Sequence, residues 1–182
     1  MMSRINLAGY LVSIGVSEFL LLMLISEFFY PNYSVKYNYI SDLGVGSTAI
    51  IFNSSIIFMG ILIIISSLLI RKEYHSVSYI ILLTGLGSML VGIFPEYTGL
   101  IHSISALIAF LFGGIGAILT SLKRNYFWTV LGIITLFTLV LYVLKIYGPF
   151  GPGGMERLIV YPELIWGISF GTYLIASKNS SY

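Results

Sequence analysis

The 182-residue sequence contains no cysteine, and only 9% of its residues are Asp, Glu, Lys or Arg. The absence of cysteine excludes disulfides, thiolate chemistry, iron–sulfur ligation and zinc sites of the cysteine type. The scarcity of charge, against about 25% in average soluble domains, excludes an ordinary soluble domain. A net charge of +2 without a basic stripe gives no reason to expect a nucleic-acid partner.

Long apolar segments take the place of the missing polar residues, and 58% of the chain is hydrophobic. A helix that crosses a bilayer needs about 20 apolar residues, and six such segments occupy most of the sequence. They are too long for barrel strands and lack strict alternation. We therefore predict an all-α integral membrane protein, a bundle of six transmembrane helices in one domain covering residues 1–182. The predicted spans lie near 6–30, 48–70, 77–94, 100–122, 126–147 and 157–177.

The basic residues divide unevenly between the two faces that the loops define. If the N-terminus lies inside, the inner face carries Arg4, Arg71, Lys72, Lys123, Arg124 and Lys178. The outer face then carries only Lys36, Lys145 and Arg157. Because Lys and Arg concentrate in cytoplasmic loops, we predict that both termini are cytoplasmic. The expected location is the plasma membrane.

The predicted outer face also holds most of the polar chemistry. All five prolines fall there: Pro31, Pro95, Pro149, Pro152 and Pro162. So do most of the acids and His102, whereas the inner loops are short and free of proline. Irregular backbone at membrane depth is tolerated mainly where it is buried or lines a water-filled cavity. We therefore predict a polar pocket that opens on the outer face.

Three polar stretches form this face. Residues 40–46 read Ile-Ser-Asp-Leu-Gly-Val-Gly and are followed by Phe-Asn at 52–53. Residues 94–96 read Phe-Pro-Glu and are followed by a histidine at position 102. The third stretch is Glu-Arg at 156–157, close to the last span.

In this order the three stretches resemble the bacterial and archaeal membrane family called domain of unknown function 998. The resemblance covers the whole chain. It implies six spans and an extracytoplasmic polar site, and it implies no established reaction. The Ile-Ser-Asp-x-Gly segment alone also looks like Frag/DRAM-type membrane proteins, some of which act in lipid remodelling.

Seven polar residues are the candidate ligand-binding residues of the predicted pocket. They are Asp42, Asn53, Glu96, His102, Glu156, Arg157 and Glu163. A structural interpretation stays open for several of them. Asp42 would be a helix cap, Asn53 would form interhelical hydrogen bonds, and Glu96 would be a solvated acid in a loop.

Spacing along the predicted helices adds two expectations. Glu156 and Glu163 are seven residues apart and should share one face of the sixth helix, with Arg157 as their counter-ion. The small residues Ser105, Ala109, Gly113 and Ala117 recur every four residues and should pack against another helix. His102 shares that face and should point into the bundle.

Glu18 lies near the middle of the first predicted span, where an ionisable residue is a functional candidate. No Lys or Arg lies at comparable depth in the other spans. We therefore expect a neutral carboxyl group, hydrogen-bonded to Ser, Thr or Tyr. Its role is either a proton relay or structural bonding between helices.

The sequence lacks the motifs of several reactions. It has no second intramembrane histidine for a bis-histidine haem, no phosphate loop and no His-Glu-x-x-His motif, so we expect no cofactor and no metal. Three functions remain open: binding or transport of a small molecule or lipid headgroup, an accessory subunit of a larger membrane complex, and an intramembrane lipid-modifying enzyme or hydrolase. A hydrolase would use Ser41, Ser103 or Ser105 near His102. The expected partners are membrane lipids, with membrane-protein subunits under the second function.

Overall fold

The computed structural model describes residues 2–121 and 125–177, and within these ranges it contains helices and no strands. The six long helices are α1 (Arg4–Phe29), α2 (Ala49–Ile70), α3 (His75–Ile93), α4 (Leu100–Ser121), α5 (Tyr126–Val143) and α6 (Gly151–Ala176). Short 3₁₀ turns lie in the loops at Ser41–Gly44, Gly46–Thr48, Glu96–Thr98 and Gly148–Phe150. The loops between α1 and α2, α3 and α4, and α5 and α6 meet at one end of the bundle, which we call the cleft face. The opposite end is the far face.

Each of the six helices is long and apolar enough to cross a bilayer. The predicted class, an all-α multi-pass membrane protein, is therefore confirmed. Three of the basic residues on which the predicted orientation depends, Lys123, Arg124 and Lys178, lie outside the described residues. The cytoplasmic location of the termini stays a prediction.

The sixth helix differs most from its predicted span, because it begins at Gly151 rather than near residue 157. The Gly-Pro-Gly-Gly sequence there suggests a loop, but Pro152 occupies the first turn, where proline needs no hydrogen-bonded N–H. Pro162 lies inside this helix rather than in irregular backbone. The fifth helix ends at Val143, a few residues before the predicted end at 147.

The six helices pack in chain order into a closed bundle. Each helix packs against the next one in the chain, α6 returns to α1, and α4 and α6 also touch across the interior. Polar side chains join some of these pairs: Ser66 Oγ on α2 donates to the Ala8 carbonyl of α1 at 3.0 Å. Asn6 Nδ2 on α1 donates to the Ile175 carbonyl at the end of α6 at 2.7 Å.

Glycines bring neighbouring helices into backbone contact. A Cβ on Gly60 of α2 would lie 2.6 Å from the Met89 backbone nitrogen of α3, and one on Gly132 of α5 would lie 2.6 Å from the Gly114 carbonyl of α4. In lipid such close approach is a main source of helix association. The predicted stripe Ser105, Ala109, Gly113 and Ala117 is buried, and so is His102, as expected.

Candidate functional site

A cleft of about 580 Å³ opens at the cleft face, between the ends of α4, α5 and α6 and the three loops there. We call it the polar cleft. Its polar lining side chains are Tyr39, Ser41, Glu96, His102, Ser103, Tyr142, Lys145, Tyr147 and Glu156. Three of the seven candidate residues, Glu96, His102 and Glu156, therefore lie together here, drawn from two of the three polar stretches.

Glu96 is half-buried in the 3₁₀ turn that follows Pro95. Its Oε2 accepts a hydrogen bond from the Ser41 hydroxyl at 3.3 Å, which joins the loop after α3 to the loop after α1. Burial, and next the neighbouring Asp42 carboxyl, raise the pKa of Glu96 to about 7. A group with this pKa can change its charge near neutral pH.

Asp42 does not line the polar cleft and does not cap α2. Its Oδ2 accepts hydrogen bonds from the Tyr39 backbone N–H at 3.0 Å and from Asn38 Nδ2 at 2.9 Å. The N-cap of α2 is Thr48, and its side chain makes no capping bond. Asp42 thus shapes its own loop and acts on the cleft through its charge beside Glu96.

His102 lies in the first turn of α4 and is buried. Its Nδ1 is 2.8 Å from the Phe94 carbonyl oxygen. Because a carbonyl oxygen only accepts, Nδ1 carries the hydrogen in this contact, and in the neutral ring Nε2 is then an acceptor. The ring therefore links the end of α3 to the start of α4 and also lines the polar cleft.

Glu156 lies in the first half of α6 and is only 5% exposed. Its Oε2 accepts a hydrogen bond of 2.5 Å from the Ile40 backbone N–H, just before the Ser-Asp-x-Gly segment. It lines the polar cleft and also an interior cavity below it. The Glu156 carboxyl group therefore holds the loop between α1 and α2 in place, and it lies between the polar cleft and the interior cavity.

Arg157 lies outside the polar cleft, and its ion pair is not the expected one with Glu156 and Glu163. Its Nη2 donates to Glu27 Oε1 of α1 at 2.5 Å and to the Tyr33 hydroxyl at 2.6 Å. Its Nη1 donates to the carbonyls of Val35, Asn38 and Gly153. These contacts use both terminal nitrogens to hold the first loop against α1 and α6. The geometry is that of a structural clamp.

Asn53 also lies outside the cleft. Its Nδ2 donates to the Gly44 carbonyl at 2.9 Å, and a Cβ on Gly44 would lie 2.6 Å from Asn53 Oδ1. The amide thus holds the 3₁₀ turn Ser41–Gly44 against α2. The contact is structural, but it joins α2 to the preceding loop and is not the expected interhelical hydrogen bond.

Glu163 lies deeper in the bundle than the cleft. Two interior cavities, of about 60 and about 50 Å³, both have Glu163 in their walls. Its Oε1 is buried and has no hydrogen-bond partner among the described residues. The spacing correctly placed it on the same helix face as Glu156, since both line the larger of these cavities.

Glu18 lies on the face of α1 that also carries Ile14 and Leu21, which are 54% and 59% exposed. This face points toward lipid rather than into the cavities. Within the described residues, its Oε2 is buried without a hydrogen-bond partner. The expected hydrogen bond to Ser, Thr or Tyr is therefore absent for this oxygen.

Four polar cleft residues had been assigned to no candidate function: Tyr39, Tyr142, Lys145 and Tyr147. Tyr142 stands between the other two tyrosines, with ring centroids 6.0 Å from each. Burial raises the pKa of Tyr39, so its hydroxyl stays protonated near neutral pH. The clustering of Tyr142, Lys145 and Tyr147 at the end of the fifth span is the sequence feature that could have identified them.

The geometry gives no support to a serine hydrolase. The Ser41 hydroxyl donates to Glu96, and the hydroxyls of Ser103 and Ser105 donate to carbonyls one helical turn earlier. In a catalytic pair the hydroxyl would instead donate to His102. No group of three or more metal-ligating side chains occurs among the described residues.

The fold and the cleft define a polytopic helical membrane protein with polar loops concentrated at one end. The chain belongs to the family described as "Protein of unknown function (DUF998)", whose model matches residues 13–173. No curated protein and no solved structure matches the chain. The resemblance carried by the three polar stretches is thus confirmed, while the likeness of residues 40–44 to Frag/DRAM-type proteins stays a prediction.

Proposed function

We propose that this protein binds a small molecule or lipid headgroup that carries a positive charge, and that the polar cleft is the binding site. The site would face the outside of the plasma membrane, with both termini in the cytoplasm. The supporting observation is the cleft of about 580 Å³, whose polar walls come from three loops. This volume falls within the range of roughly 300–1,000 Å³ typical of small-molecule sites.

The charges of the lining favour a cation. The lining contains two carboxyl groups, those of Glu96 and Glu156, and one ammonium group, that of Lys145. The adjacent rings of Tyr39, Tyr142 and Tyr147 present aromatic faces that attract ammonium groups. Carboxylates and tyrosine rings together are a suitable environment for an amine or quaternary ammonium group.

The apolar part of the lining favours an amphiphile over a wholly polar solute. Leu107 of α4 and Val143 of α5 line the cleft, and they are 43% and 62% exposed on the bundle surface. An acyl or alkyl chain could therefore leave the cleft between α4 and α5 and reach the bilayer. A lipid with an ammonium headgroup fits both parts of the lining.

Equilibrium binding to the purified protein in nanodiscs tests this function. Dodecylammonium should bind more tightly than dodecanol, which has the same chain without the charge. Ethylammonium, which lacks the long chain, distinguishes a free small amine from a lipid as the ligand. An affinity equal to that of dodecylammonium would indicate a small amine, and a weaker affinity would indicate a lipid. Equal binding of dodecylammonium and dodecanol would contradict the proposed function.

Glu96→Gln should weaken dodecylammonium binding by about tenfold or more, since hydrogen bonds to charged groups contribute about 1.5–3 kcal/mol. The matched control is Glu73→Gln, which removes a carboxylate from an exposed loop at the far face. This control should bind like the wild type. Equal losses in the two variants would place the binding site elsewhere.

The accessory-subunit alternative has one observation in its favour, the position of Glu18 on the face of α1 that carries the exposed Ile14 and Leu21. A polar group on a lipid-facing surface is a natural contact for a neighbouring membrane protein. Copurification of a partner that Glu18→Leu releases would favour this function. Retention of ammonium binding in the same variant would show that the cleft works independently.

A further inference from the structure

Glu163 occupies an unusual position, between the two interior cavities. The first cavity, of about 60 Å³, extends from Glu163 toward the polar cleft and includes His102 and Glu156 in its wall. The second cavity, of about 50 Å³, extends the other way toward Trp166 and Phe170. Met59 and Ser88 also line both cavities, so only side chains separate them.

The backbone of α4 is adapted to this carboxyl group. A Cβ on Gly113 would lie 2.5 Å from Glu163 Oε1 and Cδ, so any larger residue would displace the carboxyl group. Glycine thus lets the acid lie directly against the neighbouring helix. The contact supplies no hydrogen-bond donor to Oε1, which has no partner in the part of the chain that the structure describes.

Among the described residues, no Lys or Arg lines either cavity beside Glu163. In the walls of its two cavities, α1 and α2 contribute apolar side chains only, and α3 contributes apolar and hydroxyl side chains. The titratable groups there are His102 of α4 and Glu156 of α6. Arg157 is engaged with Glu27 and Tyr33 instead. An unpaired carboxylate in such surroundings is very costly, so the neutral acid is the favoured form.

Two titratable side chains connect the first cavity to the polar cleft. His102 and Glu156 line both the cleft and the first cavity, which can hold several water molecules at about 10–15 Å³ each. Glu156 and Glu163 are about 10 Å apart along the helix, so water must bridge them. On the other side, Trp166 and Phe170, whose stacked rings have centroids 5.9 Å apart, line the second cavity.

We propose that Glu163 is a proton-binding site within the membrane, and that it exchanges its proton with the polar cleft through Glu156 and the water of the first cavity. A proton passes from water in the cleft to the Glu156 carboxylate. It then passes through water to the Glu163 carboxylate, whose negative charge disappears. Release follows the same steps in reverse. Glu163 itself lies outside the proposed ligand site, although the route shares Glu156 with it, and the proposal does not depend on the ligand's identity.

Infrared spectroscopy of the protein in nanodiscs tests the protonation of Glu163. The C=O stretching band of protonated carboxyl groups should contain a component at neutral pH that is lost in Glu163→Gln. Glu18→Gln should keep the Glu163 component of the band, which separates the two intramembrane acids. If Glu163→Gln does not fold, Glu163→Asp replaces it, and the band should shift with the new carboxyl group. A band unchanged by every substitution at position 163 would overturn the proposal.

Hydrogen–deuterium exchange tests the route. On transfer to D₂O, the band of Glu163 should shift as its proton is replaced by deuterium. Glu156→Gln should slow this shift by about a hundredfold, the usual scale for removing an acid–base group from a proton transfer. The matched control Glu73→Gln should exchange at the wild-type rate. Equal rates in Glu156→Gln and Glu73→Gln would overturn the route through Glu156.

Discussion

Arg157 on α6 and Glu27 on α1 form an ion pair of 2.5 Å beneath the first loop. The guanidinium group also holds two carbonyls of that loop and the hydroxyl of Tyr33. The loop continues into Tyr39 and Ser41, which line the polar cleft. One buried ion pair therefore positions a wall of the candidate site from outside it.

Replacing Arg157 should destabilise the fold. Arg157→Gln leaves Glu27 without its partner, and breaking a buried ion pair costs about 3–5 kcal/mol. Thermal unfolding in detergent measures the loss. The control Lys72→Gln removes an exposed lysine at the far face and should change stability by no more than about 0.5 kcal/mol. Equal stabilities of the two variants would show that the clamp contributes little.

A side chain at Gly113 should force the Glu163 carboxyl group to move. Gly113→Ala and Gly113→Leu place a Cβ against the Glu163 carboxyl, and the larger residue should also separate the helices. We expect lower melting temperatures and lower folded yields in both. Adding Glu163→Ala removes the clash and should restore much of the stability of Gly113→Ala. A double variant no more stable than Gly113→Ala would mean that the two residues do not meet.

Binding of an ammonium ligand should depend on pH through Glu96. Its pKa is raised to about 7, so the carboxylate form that attracts a cation increases as pH rises through that value. Dodecylammonium affinity should therefore increase over this range. Asp42→Asn removes a neighbouring carboxyl that raises this pKa, and should move the increase to lower pH. In Glu96→Gln this component of the pH dependence should disappear, and its persistence would point to another group.

The raised pKa of Glu96 should also make the stability of the fold depend on pH. Between the ordinary value of 4.5 and about 7, the folded state holds the Glu96 proton more tightly than the unfolded state does. The contribution of Glu96 is thus fully present below 4.5 and is lost as pH rises through about 7. Compared with Glu96→Gln, the wild type should lose melting temperature across this range. Parallel pH profiles of the two proteins would contradict this linkage.

The predicted orientation can be tested without a background correction, because the chain has no native cysteine. A single cysteine at Tyr33 should be labelled from outside intact cells by a membrane-impermeant reagent. A cysteine at Lys123 should be labelled only after the membrane is opened. The reverse pattern would invert the assignment and turn the polar cleft toward the cytoplasm.

The sequence predicted the six helices because each apolar run has the length of a bilayer and ends in polar residues. It also placed Glu96, His102 and Glu156 on one face, since alternate loops of a six-helix bundle meet there. It did not predict that Arg157 pairs with Glu27, because that contact depends on α6 packing beside α1. Nor did it predict whether the side of α1 that carries Glu18 faces the core or the lipid, since both kinds of surface are apolar in a membrane helix.

Photo-crosslinking tests the central claim, that the polar cleft binds an ammonium amphiphile, most directly. A dodecylammonium probe with a photoreactive group in its chain would be crosslinked in nanodiscs, and the modified peptides identified by mass spectrometry. Modification should concentrate on residues 103–110 and 139–147, and Glu96→Gln should reduce it whereas Glu73→Gln should not. Modification spread evenly over the lipid-facing surfaces, and equal in the two variants, would contradict binding at the cleft.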